Sequence, residues 1–183
     1  MRIALWFARF FVTRPERPTA NLGAITAPGA ITGEYFVGGN LERKAFERAD
    51  KTIEFAFASG ALDPRLGDET FSVRWTGFLF FDQPGRWHLC GQVDDGVRIF
   101  FDDRALVDDW ERQAVRTVCG TVTVEPGWYP LRVEYRRGAG GGAITLLRGP
   151  PRRGLEVVPP WLLCCGRPGE APASERSARA ELR

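Results

Sequence analysis

The sequence contains few of the residues that bind transition metals. His88 is the only histidine among the 183 residues, and the four cysteines form no C-x-x-C pair. Zinc sites need several such ligands at short spacings, so no zinc site is predicted. Cys90 and Cys119 lie on separate predicted strands and could form a disulfide only if those strands are neighbours. The adjacent cysteines Cys164 and Cys165 match no metal-binding spacing.

A large excess of charge of one sign is also absent. Lysine and arginine together number 25 and aspartate and glutamate 23, which gives a net charge of +2. Proteins that bind nucleic acid usually carry a strongly basic surface, so this balance does not favour nucleic acid as a partner.

No hydrophobic run is long enough to span a bilayer, which takes about 20 apolar residues. The apolar start, Met1–Val12, is interrupted by Arg9, and no small-residue cleavage site follows it. Neither a transmembrane span nor a clear signal peptide is therefore predicted. An interfacial anchor, the remnant of an upstream segment and a disordered start remain open. We interpret residues 1–31 as this apolar segment and a Pro-, Gly- and Ala-rich linker.

From Gly33 onward, short runs of β-branched and aromatic residues alternate with turn residues, which is typical of a sandwich or barrel. Strands are predicted at 34–37, 53–57, 71–75, 78–81, 87–93, 97–101, 105–107, 117–124, 128–135, 143–147 and 157–163. The segment Leu41–Asp50 has apolar residues at helical spacing and is interpreted as a helical turn or two. The fold class is all-β: a single antiparallel β-sandwich or barrel of about ten short strands over residues 32–163, with flexible termini. Residues 164–183 are charged and rich in Ala, Ser and Pro and predict a disordered tail.

Seven motifs follow one another along this domain. They are Gly33-Glu34-Tyr35-Phe36, Phe71-Ser72-Val73-Arg74-Trp75-Thr76-Gly77, Pro84-Gly85-x-Trp87, Asp94-Asp95-Gly96-Val97-Arg98-Ile99, Val107-Asp108-Asp109-Trp110, Pro126-Gly127-x-Tyr129 and Arg132-Val133-Glu134-Tyr135. In this order they closely resemble the protective-antigen-type β-barrel domain, also called the PA-fourteen domain, over about residues 32–163.

The resemblance implies a carbohydrate-binding, lectin-like module. In lectin-like members a pair of aspartates joined by a cis peptide bond holds Ca²⁺, and sugar hydroxyls complete the shell of the ion. Carried over, that pair is Asp94 and Asp95, which become the candidate metal ligands with Ca²⁺ as the candidate cofactor. This chain departs from the lectin pattern in its second loop, where Arg136-Arg137-Gly138 stands in place of an asparagine. The alternative is a tight turn at Asp94-Asp95-Gly96 in which the aspartates accept backbone hydrogen bonds.

The candidate carbohydrate-binding surface lies between the Asp94–Gly96 loop and the Arg137–Gly142 loop. Its candidate residues are Asp94, Asp95, Gly96, Arg137 and Gly138. Trp110 follows a turn and is added as an aromatic contact that a partly exposed ring would make; the alternative, favoured because aromatic residues of small β-domains are mostly core, is a structural role. At the predicted hairpin tip, Asp103-Arg104 replaces the Asp-Gly that the family favours. Because Asp-Gly suits a two-residue type I′ turn, its loss predicts a different turn or a longer loop.

Catalysis is not predicted. His88 and Cys90 share one face of a strand, but such a pair in mid-strand has no visible third group to orient it. The aspartates around the hairpin are interpreted as turn formers. The predicted function is a glycan-binding module at the cell surface or outside the cell, as in adhesion, and the resemblance implies that calcium assists the binding. The alternative is a structural or protein-interaction domain of a larger surface, toxin-like or glycan-processing protein, without a ligand of its own.

Overall fold

A computed structural model describes residues 29–57, 62–67, 70–111, 114–138 and 140–165. These residues form two packed antiparallel sheets. The strands are β1 (Ile31–Val37), β2 (Arg43–Asp50), β3 (Glu54–Phe57), β4 (Phe71–Phe81), β5 (Gly85–Val93), β6 (Gly96–Phe101), β7 (Arg104–Asp109), β8 (Arg116–Val124), β9 (Gly127–Arg137), β10 (Gly142–Gly149), β11 (Glu156–Val157) and β12 (Leu163–Cys164). A 3₁₀ helix spans Pro160–Leu162. The predicted all-β antiparallel fold is confirmed, with twelve strands in the described part of the chain.

The larger sheet has seven strands and the smaller has five. The larger follows the order β2-β1-β4-β9-β6-β7, and β12 pairs with the part of β4 that β1 leaves open. The smaller follows β11-β10-β5-β8, and β3 shares the β10 edge with β11. The chain changes sheet between β5 and β6 and again between β9 and β10, and these two crossovers form the candidate site.

One hydrophobic core fills the space between the sheets. It forms because alternate residues of each strand point inward. Trp75 of β4, for example, stacks on Phe55 of β3 with ring centroids 5.5 Å apart, and Phe81 meets Trp87 at 5.3 Å. These pairs join the larger sheet to the smaller one, so the sheets pack through aromatic contacts as well as aliphatic ones.

The helical interpretation of Leu41–Asp50 is wrong, because this segment contains the edge strand β2. Its apolar residues are too few to show an alternation. The inward positions instead include Asp50, whose carboxylate accepts hydrogen bonds from the Tyr35 hydroxyl at 2.7 Å and from the Trp75 indole at 2.8 Å. A buried carboxylate with such partners breaks the apolar alternation that marks a strand in sequence.

The β6–β7 connection also differs from its prediction. Phe101 pairs directly with Arg104, so the hairpin loop has two residues, Asp102 and Asp103. Their φ angles are +50° and +60°, the sign that a type I′ turn requires at both positions. The expected different or longer loop is therefore wrong: aspartate tolerates the left-handed region well enough for the tight turn to form without glycine.

The described strands run from Ile31 at the start of β1 to Cys164 at the end of β12. The predicted N-terminal apolar segment, most of the linker and the predicted tail from residue 166 onward lie outside the described residues. In the part that the structure describes, no helix has the length and apolar character needed to cross a membrane.

Candidate functional site

Two of the crossovers between the sheets lie side by side at one end of the sandwich. The first is the Asp94-Asp95 turn between β5 and β6, and the second is the loop from Gly138 to Gly141 between β9 and β10. They meet because β9 pairs with β6, and β10 pairs with β5. The structure therefore brings the two predicted loops together.

Both aspartates of the first loop bind the second loop. The Gly138 amide donates to Asp95 Oδ2 at 3.1 Å, and the Ala143 amide donates to Asp94 Oδ1 at 2.7 Å. The Tyr135 hydroxyl also donates to Asp94 Oδ1, at 3.3 Å. These contacts are those of the alternative interpretation, in which the aspartates accept backbone hydrogen bonds and fix a turn.

The two carboxylates differ in their surroundings. Asp95 is only 7% exposed, and burial raises its pKa; the nearby charge of Asp94 acts in the same direction. The Gly138 amide and the guanidinium groups of Arg136 and Arg137 oppose the rise without cancelling it. Burial, followed by the charges of Asp94 and Asp95, also raises the pKa of the Tyr135 hydroxyl. Asp94 is partly exposed, so it is the carboxylate that a ligand can reach.

Arg137 and Gly96 support the loops from beneath. Arg137 is 1% exposed, its guanidinium lies 5.3 Å from the Phe71 ring centroid, and it donates to the Gly140 carbonyl. Gly96 is buried, and a Cβ atom there would collide with the Trp110 carbonyl oxygen and the Arg136 side chain. We therefore infer that both residues shape the site. The surface itself is formed by Asp94 and the exposed backbone of Gly140 and Gly141.

Trp110 is buried, as its structural role requires and its role as a ligand contact does not. It is 7% exposed, its indole donates to Asn40 Oδ1 at 2.8 Å, and the Arg98 guanidinium lies 3.9 Å from its ring centroid. The β1–β2 turn and a β6 side chain cover the ring. Neither neighbour is close to Trp110 in sequence.

Asp94 and Asp95 are the carboxylates that the two loops offer to a calcium ion. Ca²⁺ takes about six to eight oxygen ligands. In the described part of the chain, no group of three or more His, Cys, Asp or Glu side chains could hold a metal ion. Asp94 and Asp95 each already use one oxygen as an acceptor within the protein. The Asp94–Asp95 peptide bond is trans, whereas the resemblance implied a cis bond.

His88 and Cys90, which were considered as a nucleophilic pair, each contact another residue. Cys90 lies directly opposite Cys119 in the β5–β8 pairing, and the two form a disulfide. The neighbouring strands that this bond requires are therefore present, and the Cys90 sulfur is not a thiol. His88 Nδ1 lies 3.2 Å from the Thr121 hydroxyl.

The sequence analysis did not identify a second group of charged side chains, which lies on the outer face of the larger sheet. Arg74, Arg98 and Arg132 surround Glu134, which is only 3% exposed. Glu134 faces outward as its alternation predicts, but the arginines cover it. The only sequence signal is the alternation of arginine and glutamate along β9, and the partners on β4 and β6 become visible only with the strand order.

Comparison with known proteins places the chain among recognised domains. The sequence model of the PA14 domain family matches residues 26–160. The anti-sigma-I factor RsgI3 of Acetivibrio thermocellus is 28% identical over 130 residues, which are 70% of this chain and 20% of that protein.

Two solved structures share the fold. The structure of an anti-sigma factor domain-containing protein has a TM-score of 0.71 and 26% identity over 79% of this chain and 49% of that chain. A PA14 sugar-binding domain from an RTX adhesin has a TM-score of 0.65 and 16% identity over 76% of this chain and 100% of that chain. The chain thus spans a fifth of the curated relative and about half of the solved anti-sigma structure.

Proposed function

This chain belongs to the PA14 domain family, and from that premise we propose that it is a carbohydrate-binding module that acts outside the cell. The observation that carries the proposal is the edge formed by Asp94 and the exposed Gly140–Gly141 backbone. Hydrogen bonds from the second loop to Asp94 and Asp95 hold this edge in place before any ligand arrives. A preformed polar edge lowers the ordering cost of binding.

The chemistry of the edge suits sugar hydroxyls. A carboxylate accepts hydrogen bonds from hydroxyl donors, and a charged acceptor makes these bonds stronger than neutral ones. Glycine residues carry no side chain, so a sugar ring can approach the loop backbone and use its amide and carbonyl groups. The RTX adhesin domain that shares this fold is a PA14 sugar-binding domain, which supports the proposal.

An extracellular location is part of the proposal. Disulfides persist in oxidising compartments and are rare in the reducing cytosol. The Cys90–Cys119 bond therefore supports a position at the cell surface or beyond it.

The test is a glycan screen with the wild-type chain and the Asp94→Ala variant. We expect wild type to bind at least one glycan and Asp94→Ala to lose about tenfold or more in affinity, because a charge-assisted hydrogen bond contributes about 1.5–3 kcal/mol. Asp82→Ala is the matched control, since this exposed aspartate lies in the β4–β5 turn at the opposite end. Unchanged affinity in a correctly folded Asp94→Ala protein would contradict the proposed site.

The same titrations are repeated with Ca²⁺ and with EDTA. Because Asp94 and Asp95 already accept backbone hydrogen bonds that fix the turn, we expect binding to be equal in both conditions. Binding that disappears with EDTA and returns with Ca²⁺ would show that the pair Asp94 and Asp95 holds the ion after all, with sugar or backbone oxygens as the other ligands.

A protein-interaction domain is the second candidate function. The chain spans only a fifth of the anti-sigma-I factor that it matches, so a domain of this kind can occur within a much larger protein. Trp161 on the 3₁₀ helix is 68% exposed and offers an apolar contact. A wild-type protein that binds no glycan in the screen would favour this role.

A further inference from the structure

A row of charged side chains crosses the outer face of the larger sheet. In register across six strands it contains Glu47, Glu34, Arg74, Glu134, Arg98 and Asp108. In the next row, Arg132 of β9 lies beside Thr76 and Phe100. Opposite charges on neighbouring strands stabilise a sheet modestly, so part of this pattern is structural.

The charges do not balance at the centre of the row. Arg74 Nε donates to Glu134 Oε1 at 2.9 Å, whereas Arg98 Nη1 lies 3.5 Å from Oε2 and Arg132 Nε lies 3.7 Å from Oε1. Three guanidinium groups thus share one carboxylate, and two of them are held only loosely. The three guanidinium groups outnumber the one carboxylate that they share, and the carboxylates of Glu34 and Asp108 flank Arg74 and Arg98 on the neighbouring strands.

Two of these arginines are fixed in position by aromatic rings. The Arg98 guanidinium lies 3.9 Å from the Trp110 ring centroid, and that of Arg132 lies 3.9 Å from the Phe100 centroid. Both side chains remain partly exposed. The Nε atoms of Arg98 and Arg132 are buried, so a ligand can reach these guanidinium groups only through their Nη atoms. Stacked guanidinium groups are preorganised to bind an oxyanion.

A groove of about 230 Å³ adjoins Arg132 on the same face. Its lining includes the half-buried rings of Phe78 and Phe100, the Thr76 side chain and Asp103. Aromatic rings can pack against the apolar face of a sugar, and hydroxyl and carboxylate oxygens can bind its hydroxyl groups. The carboxylates that flank the arginines, Glu34 and Asp108, would repel the continuous phosphates of a nucleic acid. A saccharide with separated anionic groups avoids that repulsion.

We propose that Arg74, Arg98 and Arg132 form a second binding site, which takes the carboxylate or sulfate group of an anionic saccharide. The sugar ring that bears this group lies in the groove beside Phe78 and Phe100. This site is separate from the Asp94 edge, and either can exist without the other.

The test uses polygalacturonate, dextran sulfate and neutral dextran as probes in affinity electrophoresis of the full chain. We expect retardation by at least one of the two anionic polymers and not by dextran, and the polymer that is bound identifies the anionic group. Arg132→Gln is expected to weaken that binding about tenfold, since hydrogen bonds to charged groups contribute about 1.5–3 kcal/mol. Arg86→Gln, an exposed arginine on the other sheet, is the matched control and is expected to bind as wild type does.

A second variant is expected to change the affinity for the anionic polymer in the opposite direction. Glu134→Gln removes the carboxylate that competes for the same guanidinium groups, so it is expected to strengthen binding to the anionic polymer. Thermal melts identify any variant that fails to fold, and Arg132→Gln is the safer variant because its ion pair is the loosest of the three. Asp94→Ala is expected to leave this binding unchanged, which separates the second site from the loop site.

Three results would overturn the proposal. They are equal binding by wild type and Arg132→Gln, equal retardation by dextran, and tighter binding of double-stranded DNA than of either anionic polysaccharide.

Discussion

At the scale of single residues, the burial of Asp95 sets a pH dependence for the domain. Its pKa in the folded state is raised above the unfolded value, chiefly by burial. The folded state therefore binds the proton more tightly, and stability falls as pH rises through the interval between the two pKa values. Above that interval the cost of a charged Asp95 persists in full.

Asp95→Asn tests this argument, because asparagine keeps the shape and can still accept from the Gly138 amide. We expect the variant to melt at a higher temperature than wild type at neutral pH. The difference should shrink near pH 3, where an unperturbed aspartate, of pKa about 3.9, is itself largely protonated. Asp82 is exposed, so Asp82→Asn should leave the melting temperature unchanged both at neutral pH and near pH 3. A lower melting temperature for Asp95→Asn at neutral pH would contradict the sign of the effect.

The two loops show how far residue identities predict a site. The Asp94-Asp95-Gly96 turn and the glycine-rich second loop could be located because turn residues reveal themselves locally. The partners that bury Trp110 and Arg137 could not be predicted, because they approach from distant parts of the chain. Asn40 lies 70 positions before Trp110, and only the folded structure brings the two together.

At the scale of the element, the β6–β7 hairpin contains backbone strain that a single substitution can relieve. Asp103 has a φ of +60°, where a residue with a Cβ atom is strained and glycine is not. We expect Asp103→Gly to raise the free energy of unfolding by about 0.5–1 kcal/mol, after allowing for the greater freedom of glycine in the unfolded chain. Urea unfolding measures the change.

The control for this variant is Ala105→Gly, two residues further along in β7. Ala105 is also exposed, but it lies in an extended strand where glycine gives no relief and lowers β-propensity. We therefore expect Ala105→Gly to destabilise the domain. If both glycine variants shift stability in the same direction, the φ angle of Asp103 is not the cause.

Strands were predicted correctly where apolar and polar residues alternate without interruption. Residues 71–75 and 78–81 were predicted as two strands, yet β4 runs unbroken through Gly77. The glycine is needed there because a Cβ atom would collide with the Cys164 carbonyl oxygen of β12. A glycine that permits close approach of another strand cannot be distinguished in sequence from a turn glycine. The strand β2 was mistaken for a helix because its buried Asp50 depends on the distant partners Tyr35 and Trp75 and breaks the apolar alternation.

At the scale of the whole molecule, strand order is the feature that sequence periodicity could not supply. Alternation predicts which face of a strand is buried, but the crossovers that place Asp94 beside Gly138 depend on pairing between strands far apart in the chain. The order of seven motifs supplied that information through resemblance to a family. The arginine cluster around Glu134 had no such motif to reveal it, since its members come from three strands.

The Cys90–Cys119 disulfide acts on the same large scale. The bond joins neighbouring strands of the smaller sheet, yet the loop that it closes contains β6 and β7 of the larger sheet. With 29 positions between the two cysteines, loop closure predicts a loss of about 3–4 kcal/mol in stability when the bond is removed. We expect the double variant Cys90→Ser, Cys119→Ser to unfold at correspondingly lower urea.

Reduction with dithiothreitol distinguishes the effect of losing the cross-link from the effect of the two Cys→Ser substitutions. Reduced wild type should approach the double variant, whereas the double variant itself should not respond to the reducing agent. If oxidised and reduced wild type unfold at the same urea concentration, the ladder of hydrogen bonds between β5 and β8 already constrains the chain. In that case the disulfide would give no stability to the crossover that carries Asp94.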